Sequence, residues 1–165
     1  MKIFGLAGWS GAGKTTLLVR LLPLFNARGL RVSTVKHAHE RFDIDLPGKD
    51  SYEHRKAGAA EVLISSRQRW ALIHEHREAR EPELDQLLAL LAPADLVLVE
   101  GFKRHAHDKL EVHQAGKPFL YPDDPHIVAI ASDEPPPESG RPVFARSDVE
   151  AIARFILGRC GLDGR

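Results

Sequence analysis

Short continuous apolar runs alternate along this chain with longer stretches whose apolar positions repeat every three or four residues. The first kind reads as buried strand, the second as amphipathic helix. Lys2–Ala7 is a strand. Leu17, Leu18, Leu21, Leu22, Leu24 and Phe25 mark the inner face of a helix over residues 14–27, with Pro23 as an expected kink and Gly29 as its stop. Residues 31–36 form the second strand. Asp50 and Ser51 start a helix that reaches residue 57 and stops at Gly58. Glu61–Ser65 and residues 69–74 are strands separated by three residues, which predicts an antiparallel hairpin. Pro82 opens a helix that carries Leu84, Leu87, Leu88, Leu90 and Leu91 to about residue 92, and Pro93 closes it. Residues 95–100, apolar on both faces, are the most strand-like segment. Residues 109–114 read as a short strand of alternating character and residues 126–131 as another buried strand. Residues 132–140, with Pro135, Pro136 and Pro137, are a surface loop, and residues 142–144 a short final strand. Ser147 or Asp148 caps a last helix with the apolar face Val149, Ile152, Ala153, Ile156 and Leu157, and the tail from Gly161 is expected to fray. With no internal repeat and no linker, the pattern predicts one domain over residues 1–165. Its fold class is α/β, with three layers, a mostly parallel central sheet and an antiparallel hairpin.

Between the first strand and the first helix stands Gly8-Trp9-Ser10-Gly11-Ala12-Gly13-Lys14-Thr15, which fits G-x-x-x-x-G-K-[ST] in the strand–loop–helix setting that a phosphate-binding loop requires. Glycine lets the backbone turn tightly and approach a phosphate closely. The N–H groups of Gly8, Ser10, Gly11, Ala12 and Gly13, with the positive end of the helix dipole, favour an anion. Lys14 is expected to reach the β and γ phosphates and to serve catalysis, and the Thr15 hydroxyl to ligate Mg²⁺.

Composition narrows the classes of partner. Hydrophobic residues make up 43% and charged residues 28% of the chain, an ordinary globular mixture. Lys+Arg and Asp+Glu are both 23, so no basic field draws nucleic acid or an anionic membrane. A single cysteine, Cys160, rules out an internal disulfide and a cysteine-based zinc cluster, and suits a reducing cytoplasm. No apolar stretch approaches a membrane span, and no secretory leader precedes the first strand.

A phosphate loop needs a second acidic ligand for the metal, and Glu100 ends the buried strand at the carboxyl edge, where ligands meet open α/β sheets. Gly101 lets the chain pass close to the phosphates, whereas Asp95, at the other end of that strand, reads as structural. Asp43 and Asp45 alternate around Ile44, so an extended segment would aim both carboxylates to one side. They either hold Mg²⁺ through water or position an attacking water, Asp45 foremost, or form a solvated acidic loop. Asp133 follows a buried strand and can accept two hydrogen bonds from guanine N1–H and N2–H₂, donors that adenine lacks, although no Asn-Lys-x-Asp motif is present. His37/His39, His74/His76 and His105/His107 each have a spacing that suits two imidazoles on one face, a possible transition-metal pair. Lys103, Arg104, His105 and His107 form either an anion-binding loop beside Glu100 or a solvated basic loop.

Several blocks occur in order: the phosphate loop, Val35-Lys36-His37, Phe42-Asp43-Ile44-Asp45 with Pro47-Gly48-Lys49-Asp50-Ser51, Arg55-x-Ala57-Gly58-Ala59, Val99-Glu100-Gly101-Phe102-Lys103 and Ile130-Ala131-Ser132-Asp133. Together they resemble the MobB family of molybdopterin-guanine dinucleotide biosynthesis adaptor proteins, over nearly the whole chain. The resemblance implies a homodimeric, Mg²⁺-dependent GTP-binding protein with weak GTPase activity. It also implies association with MobA, the guanylyltransferase that joins GMP to molybdopterin, aided either by supplying GTP or by docking molybdopterin for delivery. Carried over, Gly11, Gly13, Lys14, Thr15 and Thr16 bind phosphates and metal, and Glu100 takes the second acidic position.

Two other classes compete. Val99-Glu100-Gly101 also resembles dethiobiotin synthetase, which implies a nucleotide-dependent small-molecule ligase, and the histidine pairs suggest a metal-delivery GTPase. No glutamine or arginine stands out as an activator of the catalytic water. Lys49, Arg55 or a residue of a second subunit are the candidates, a shortage that suits slow hydrolysis.

Overall fold

The computed structural model describes residues 1–38, 42–77 and 80–164. The chain divides into two compact units, one of Met1–His37 with Leu84–Arg165 and one of Ala38–Glu83.

The larger unit is built on a six-stranded sheet. Its strands are β1 (Lys2–Ala7), β2 (Val32–Lys36), β5 (Leu96–Glu100), β6 (Lys109–Val112), β7 (Ile127–Ala131) and β8 (Val143–Phe144), in the order β2-β5-β1-β6-β7-β8. Every neighbouring pair in it is parallel. Helices α1 (Lys14–Asn26) and α4 (Val149–Cys160) share a core with one face of this sheet. Leu17, Leu18, Leu21 and Phe25 of α1 and Ile152, Ala153, Ile156 and Leu157 of α4 meet Phe4, Leu6, Leu96, Leu98, Leu110 and Ala129 there. On the other face Leu84 and Leu88, from the short helix α3 (Leu84–Leu88), cover Val97 and Val99 of β5. With both faces covered, β5 is buried at all five positions, as its unbroken apolar run predicts.

Three details depart from the pattern read in the sequence. Helix α3 has one regular turn only, and residues after it close with shorter turn bonds, Leu90 N–H to the Leu87 carbonyl at 3.1 Å and Leu91 N–H to that of Leu88 at 3.2 Å. Leu90 is left 73% exposed, so a repeat of leucines did not mean a continuous buried face. The tail after α4 does not fray at once. Asp148 caps the helix start by accepting from Ala151 N–H at 3.1 Å, and Gly161, at φ 66°, turns the chain so that Leu162 N–H reaches the Leu157 carbonyl at 2.8 Å. The Leu162 side chain then joins the core, the contact that often accompanies such a helix end.

The third departure is β6. Its alternation predicts one dry face, yet Lys109 and Glu111 are fully buried. Each is satisfied within the unit. Lys109 Nζ lies 3.0 Å from Asp124 Oδ2, and the Glu111 carboxylate accepts from Leu120 N–H at 2.8 Å and Tyr121 N–H at 2.9 Å. Burial pushes the Glu111 carboxyl up, and those two backbone donors oppose the shift. Gly5 on β1 makes the room, because a Cβ there would sit 2.5 Å from His107 Nε2 and 2.8 Å from Lys109 Cγ.

The smaller unit contains α2 (Asp50–Lys56) and the antiparallel pair β3 (Glu61–Ser65) and β4 (Trp70–His74). Leu63 pairs with Leu72 and Ser65 with Trp70 on one face of this hairpin. Leu63, Trp70 and Leu72 are exposed there, an unusual run of apolar surface for two strands. None of the described helices is long and apolar enough to cross a membrane. Cys160 is buried and its thiol is pushed up to about 11, mainly by desolvation.

His107 is buried beneath Gly5, and desolvation, with Lys109 and His105 adding, holds its imidazole down at about 4 against a usual 6.5. The unfolded chain therefore binds a proton that the folded one refuses between these values. The resulting stability is present above about pH 6.5 and is lost as the pH falls toward 4, by about 3 kcal/mol over the full range. Urea unfolding at pH 7.5 and 5 is expected to show a smaller difference for His107→Gln than for the unaltered protein; an equal difference would remove His107 as the cause.

Candidate functional site

The loop between β1 and α1 depends on three glycines with positive φ, Gly8 at 150°, Gly11 at 79° and Gly13 at 91°. A side chain at Gly8 would run into the Val112 carbonyl oxygen. Gly13 occupies the N-cap of α1 and carries no capping side chain, and the first turn holds no acidic residue. The N–H groups that open the helix are left to meet an anion.

Around this loop the structure brings together three of the predicted residues. Lys14 Nζ donates to the carbonyls of Gly8 at 3.0 Å and Trp9 at 2.9 Å. Burial lowers its pKa; Glu100 opposes that shift, and Lys103 and Lys36 add to it. Two further lysines and one buried carboxylate thus lie within electrostatic reach of Lys14. Thr15 Oγ1 lies 2.8 and 3.0 Å from the two Glu100 oxygens and donates its proton there. Register sets this up, because Glu100 pairs with Leu6 of β1 on one side and Lys36 of β2 on the other. A hydroxyl and a carboxylate side by side are hard oxygen donors, the kind that Mg²⁺ takes alongside phosphate oxygens. Asp95, at the far end of β5, accepts from Arg31 N–H at 2.9 Å and serves the fold.

After Glu100 the chain makes two successive left-handed residues, Gly101 at φ 97° and Phe102 at φ 47°. A Cβ at Gly101 would be 2.7 Å from that of His37, whose ring packs 4.7 Å from the Phe102 ring. A non-glycine residue in this region carries backbone strain. The turn delivers Lys103 to the phosphate loop, its Nζ 4.7 Å from the centre of the Trp9 ring, while Trp9 Nε1–H donates to the Pro118 carbonyl at 2.8 Å. The basic segment is therefore divided. Lys103 faces the loop, whereas His105 turns to Asp85 at 3.3 Å and His107 is buried.

On the other side of Gly13 is a cavity of about 320 Å³, lined by Gly13, Thr16, Leu17, Val112, Asp133 and Arg146 among others. Ser10 and Ala12 belong to the loop, Ala12 buried and Ser10 exposed. Asp133 is 64% exposed, with Oδ1 accepting from Arg146 N–H at 3.3 Å. Sequence reading missed Arg146, because its link to the loop is a bond to the carbonyl of Ala12, at 2.9 Å, across 134 positions.

Asp43 and Asp45 lie in the smaller unit and converge on Arg55. Its Nη2 is 2.8 Å from Asp43 Oδ1, its Nε 3.5 Å from Asp45 Oδ2, and its Nη1 2.7 Å from Glu75 Oε1. Asp45 Oδ1 also accepts from Ser51 Oγ at 2.8 Å and Leu46 N–H at 3.0 Å. The hydrogen bond from Arg55 holds the Asp43 carboxyl below the usual carboxylate range. The two carboxylates do face one side, and a guanidinium fills that side. Tyr52 and Arg55, with a ring-to-cation distance of 5.3 Å, line a cavity of about 870 Å³ in the same unit.

Among the described residues the histidine pairs form no metal cluster. His39 lies outside the described residues. His74 contacts Glu61 at 2.8 Å, and the Nδ1 atoms of His105 and His107 are 3.0 Å apart. Among the described residues no group of three or more His, Cys, Asp or Glu side chains is arranged to hold a metal ion.

The chain matches the family MobB, Molybdopterin guanine dinucleotide synthesis protein B, over residues 3–133. It is 42% identical over 160 residues to the Molybdopterin-guanine dinucleotide biosynthesis adapter protein of Escherichia coli (strain K12), covering 94% of this chain and 91% of the relative. A protein of the same name from Haemophilus influenzae is 36% identical over 157 residues, covering 93% and 86%. The crystal structure of molybdopterin-guanine biosynthesis protein B (mobB) aligns with a TM-score of 0.76 at 34% identity, over 95% of this chain and 99% of that one.

Arg55 is the shared partner of three carboxylates, so Arg55→Lys is expected to loosen the segment they anchor. Amide hydrogen exchange of residues 42–56 should quicken in that variant while the strands of the six-stranded sheet keep their protection. Unchanged exchange over residues 42–56 would show that the ion pairs do not hold the segment.

Proposed function

The chain belongs to the MobB family of adapters in molybdopterin guanine dinucleotide biosynthesis, and from that premise we propose that it holds GTP with Mg²⁺ and assists a MobA-type guanylyltransferase. The observation that carries the reading is the convergence of Lys14, Thr15 and Glu100 at the open end of α1. The loop N–H groups and Lys14 take the β and γ phosphates, with Thr16 beside them at the cavity. Thr15 and Glu100 would hold Mg²⁺, which when bound neutralises charge on the phosphate oxygens. Lys103 adds a second cation over the loop. Asp133 accepts from the guanine edge.

Slow turnover goes with this arrangement. Arg55, one of the residues considered as an activator, is already engaged by Asp43, Asp45 and Glu75. Asp45 is correspondingly proposed to position water only through that network, since Ser51 and Leu46 occupy its Oδ1 and Arg55 Nε stands 3.5 Å from its buried Oδ2. Molybdopterin and a second copy of the chain are the remaining partners in this reading. The exposed Leu63, Trp70 and Leu72 on the β3–β4 face support dimerisation, since a two-stranded hairpin with a bare apolar face gains stability by covering it. A cytoplasmic location accords with the buried, reduced Cys160.

Calorimetry with GTP and Mg²⁺ tests the site directly. Lys14→Ala is expected to weaken binding on the order of 100-fold, with an unchanged unfolding midpoint. Glu100→Gln should remove the dependence of affinity on Mg²⁺. Full affinity in the lysine variant would end the phosphate assignment. For the dimer, sedimentation of Leu72→Lys should show monomer at concentrations where the unaltered chain is dimeric; a monomeric unaltered chain at tens of micromolar would refute this use of the hairpin.

A further inference from the structure

We infer that Arg146 is the positioning residue for the nucleotide base, joining the base-reading carboxylate of Asp133 to the phosphate loop and covering the purine face. The inference rests on the reading above, in which a guanine nucleotide occupies this loop.

Arg146 lies in the segment between β8 and α4 and makes three contacts that converge on the cavity beside Gly13. Its backbone N–H donates to Asp133 Oδ1 at 3.3 Å, its Nη1 lies 3.6 Å from Asp133 Oδ2, and its Nη2 donates to the Ala12 carbonyl at 2.9 Å. The guanidinium therefore spans from the carboxylate to the loop backbone. Gly13 is what permits the span, because a Cβ at that position would lie 2.7 Å from Nη2. One glycine serves both the turn of the loop and the passage of this arginine.

Two physical consequences follow for a ligand. Asp133 is largely exposed, and a free carboxylate would sample several rotamers and repel a nearby triphosphate. Arg146 narrows its rotamers and offsets its charge. It does so without exhausting the carboxylate, since each oxygen has two lone-pair sites, and guanine N1–H and N2–H₂ need one on each. The guanidinium itself is planar and weakly hydrated, suited to lying against an aromatic ring, and its side chain is still 36% exposed. The cavity of about 320 Å³ is small for a ligand site, and suits a base with its sugar better than a larger molecule.

Calorimetry with GTP, ATP and inorganic tripolyphosphate, each with Mg²⁺, separates the possibilities. The unaltered chain should bind GTP more tightly than either of the others. Arg146→Ala should weaken GTP about tenfold, leave tripolyphosphate within about twofold, and bring the GTP-to-ATP ratio toward one. Arg146→Lys keeps a charge for the Ala12 carbonyl but lacks the planar fork, and should likewise leave tripolyphosphate binding unchanged without restoring base preference. If Arg146→Ala weakens GTP, ATP and tripolyphosphate alike, the arginine merely braces the loop and the inference is overturned. An unchanged GTP-to-ATP ratio in that variant overturns it as well. If the unaltered chain binds tripolyphosphate as tightly as GTP, the base does not use this cavity, and the underlying reading fails together with the role of Arg146.

Discussion

The hydroxyl of Thr15 resting on both oxygens of Glu100 ties the nucleotide loop to the middle of the sheet. Glu100 is a carboxylate only 8% exposed, at the end of a strand whose other residues are fully buried. A group in that position needs a partner, and the Thr15 hydroxyl of the first helix provides it, while register sets Lys36 of the neighbouring strand opposite. The lysines about the loop would repel one another without that negative charge among them, as the opposing influences on Lys14 indicate. Strand order is thus inseparable from site chemistry. Moving β5 away from its place between β1 and β2 would dismantle the charge pattern along with the core.

Much of this was legible in the residues because it was local. The glycine spacing of the loop, the apolar run of β5 and the short hairpin connection each specify their own geometry within about ten residues. Glu100 was legible for the same reason, as the polar end of an apolar strand. What escaped were pairings across distance. Lys109 and Glu111 alternate with Leu110 and Val112 and so look like a strand with a wet face. Only Gly5, Asp124 and the backbone of Leu120 and Tyr121 explain how both charges are accommodated inside. Arg146 escaped more completely, since its most telling bond is to a backbone oxygen, which no side-chain pattern records.

The acidic block before α2 illustrates how a correct geometric expectation can leave the chemistry undecided. Asp43 and Asp45 face the same way, as two carboxylates around one isoleucine in an extended segment should. Their common neighbour is a guanidinium from seven-residue α2, which converts a candidate metal or water site into an ion-pair hub with Glu75 and Ser51. Preserving the guanidinium requires preserving its acceptors.

Cys160, the last residue of α4, bears on how the molecule can be probed. Its thiol is sealed in the core and pushed up to about 11, so at neutral pH it offers almost no thiolate to an electrophile. The chain is in effect a thiol-silent scaffold. A cysteine introduced at an exposed position would be the sole fast-reacting nucleophile of its kind, and a dye or spin label could be attached there without first removing the native residue from the packing of α4.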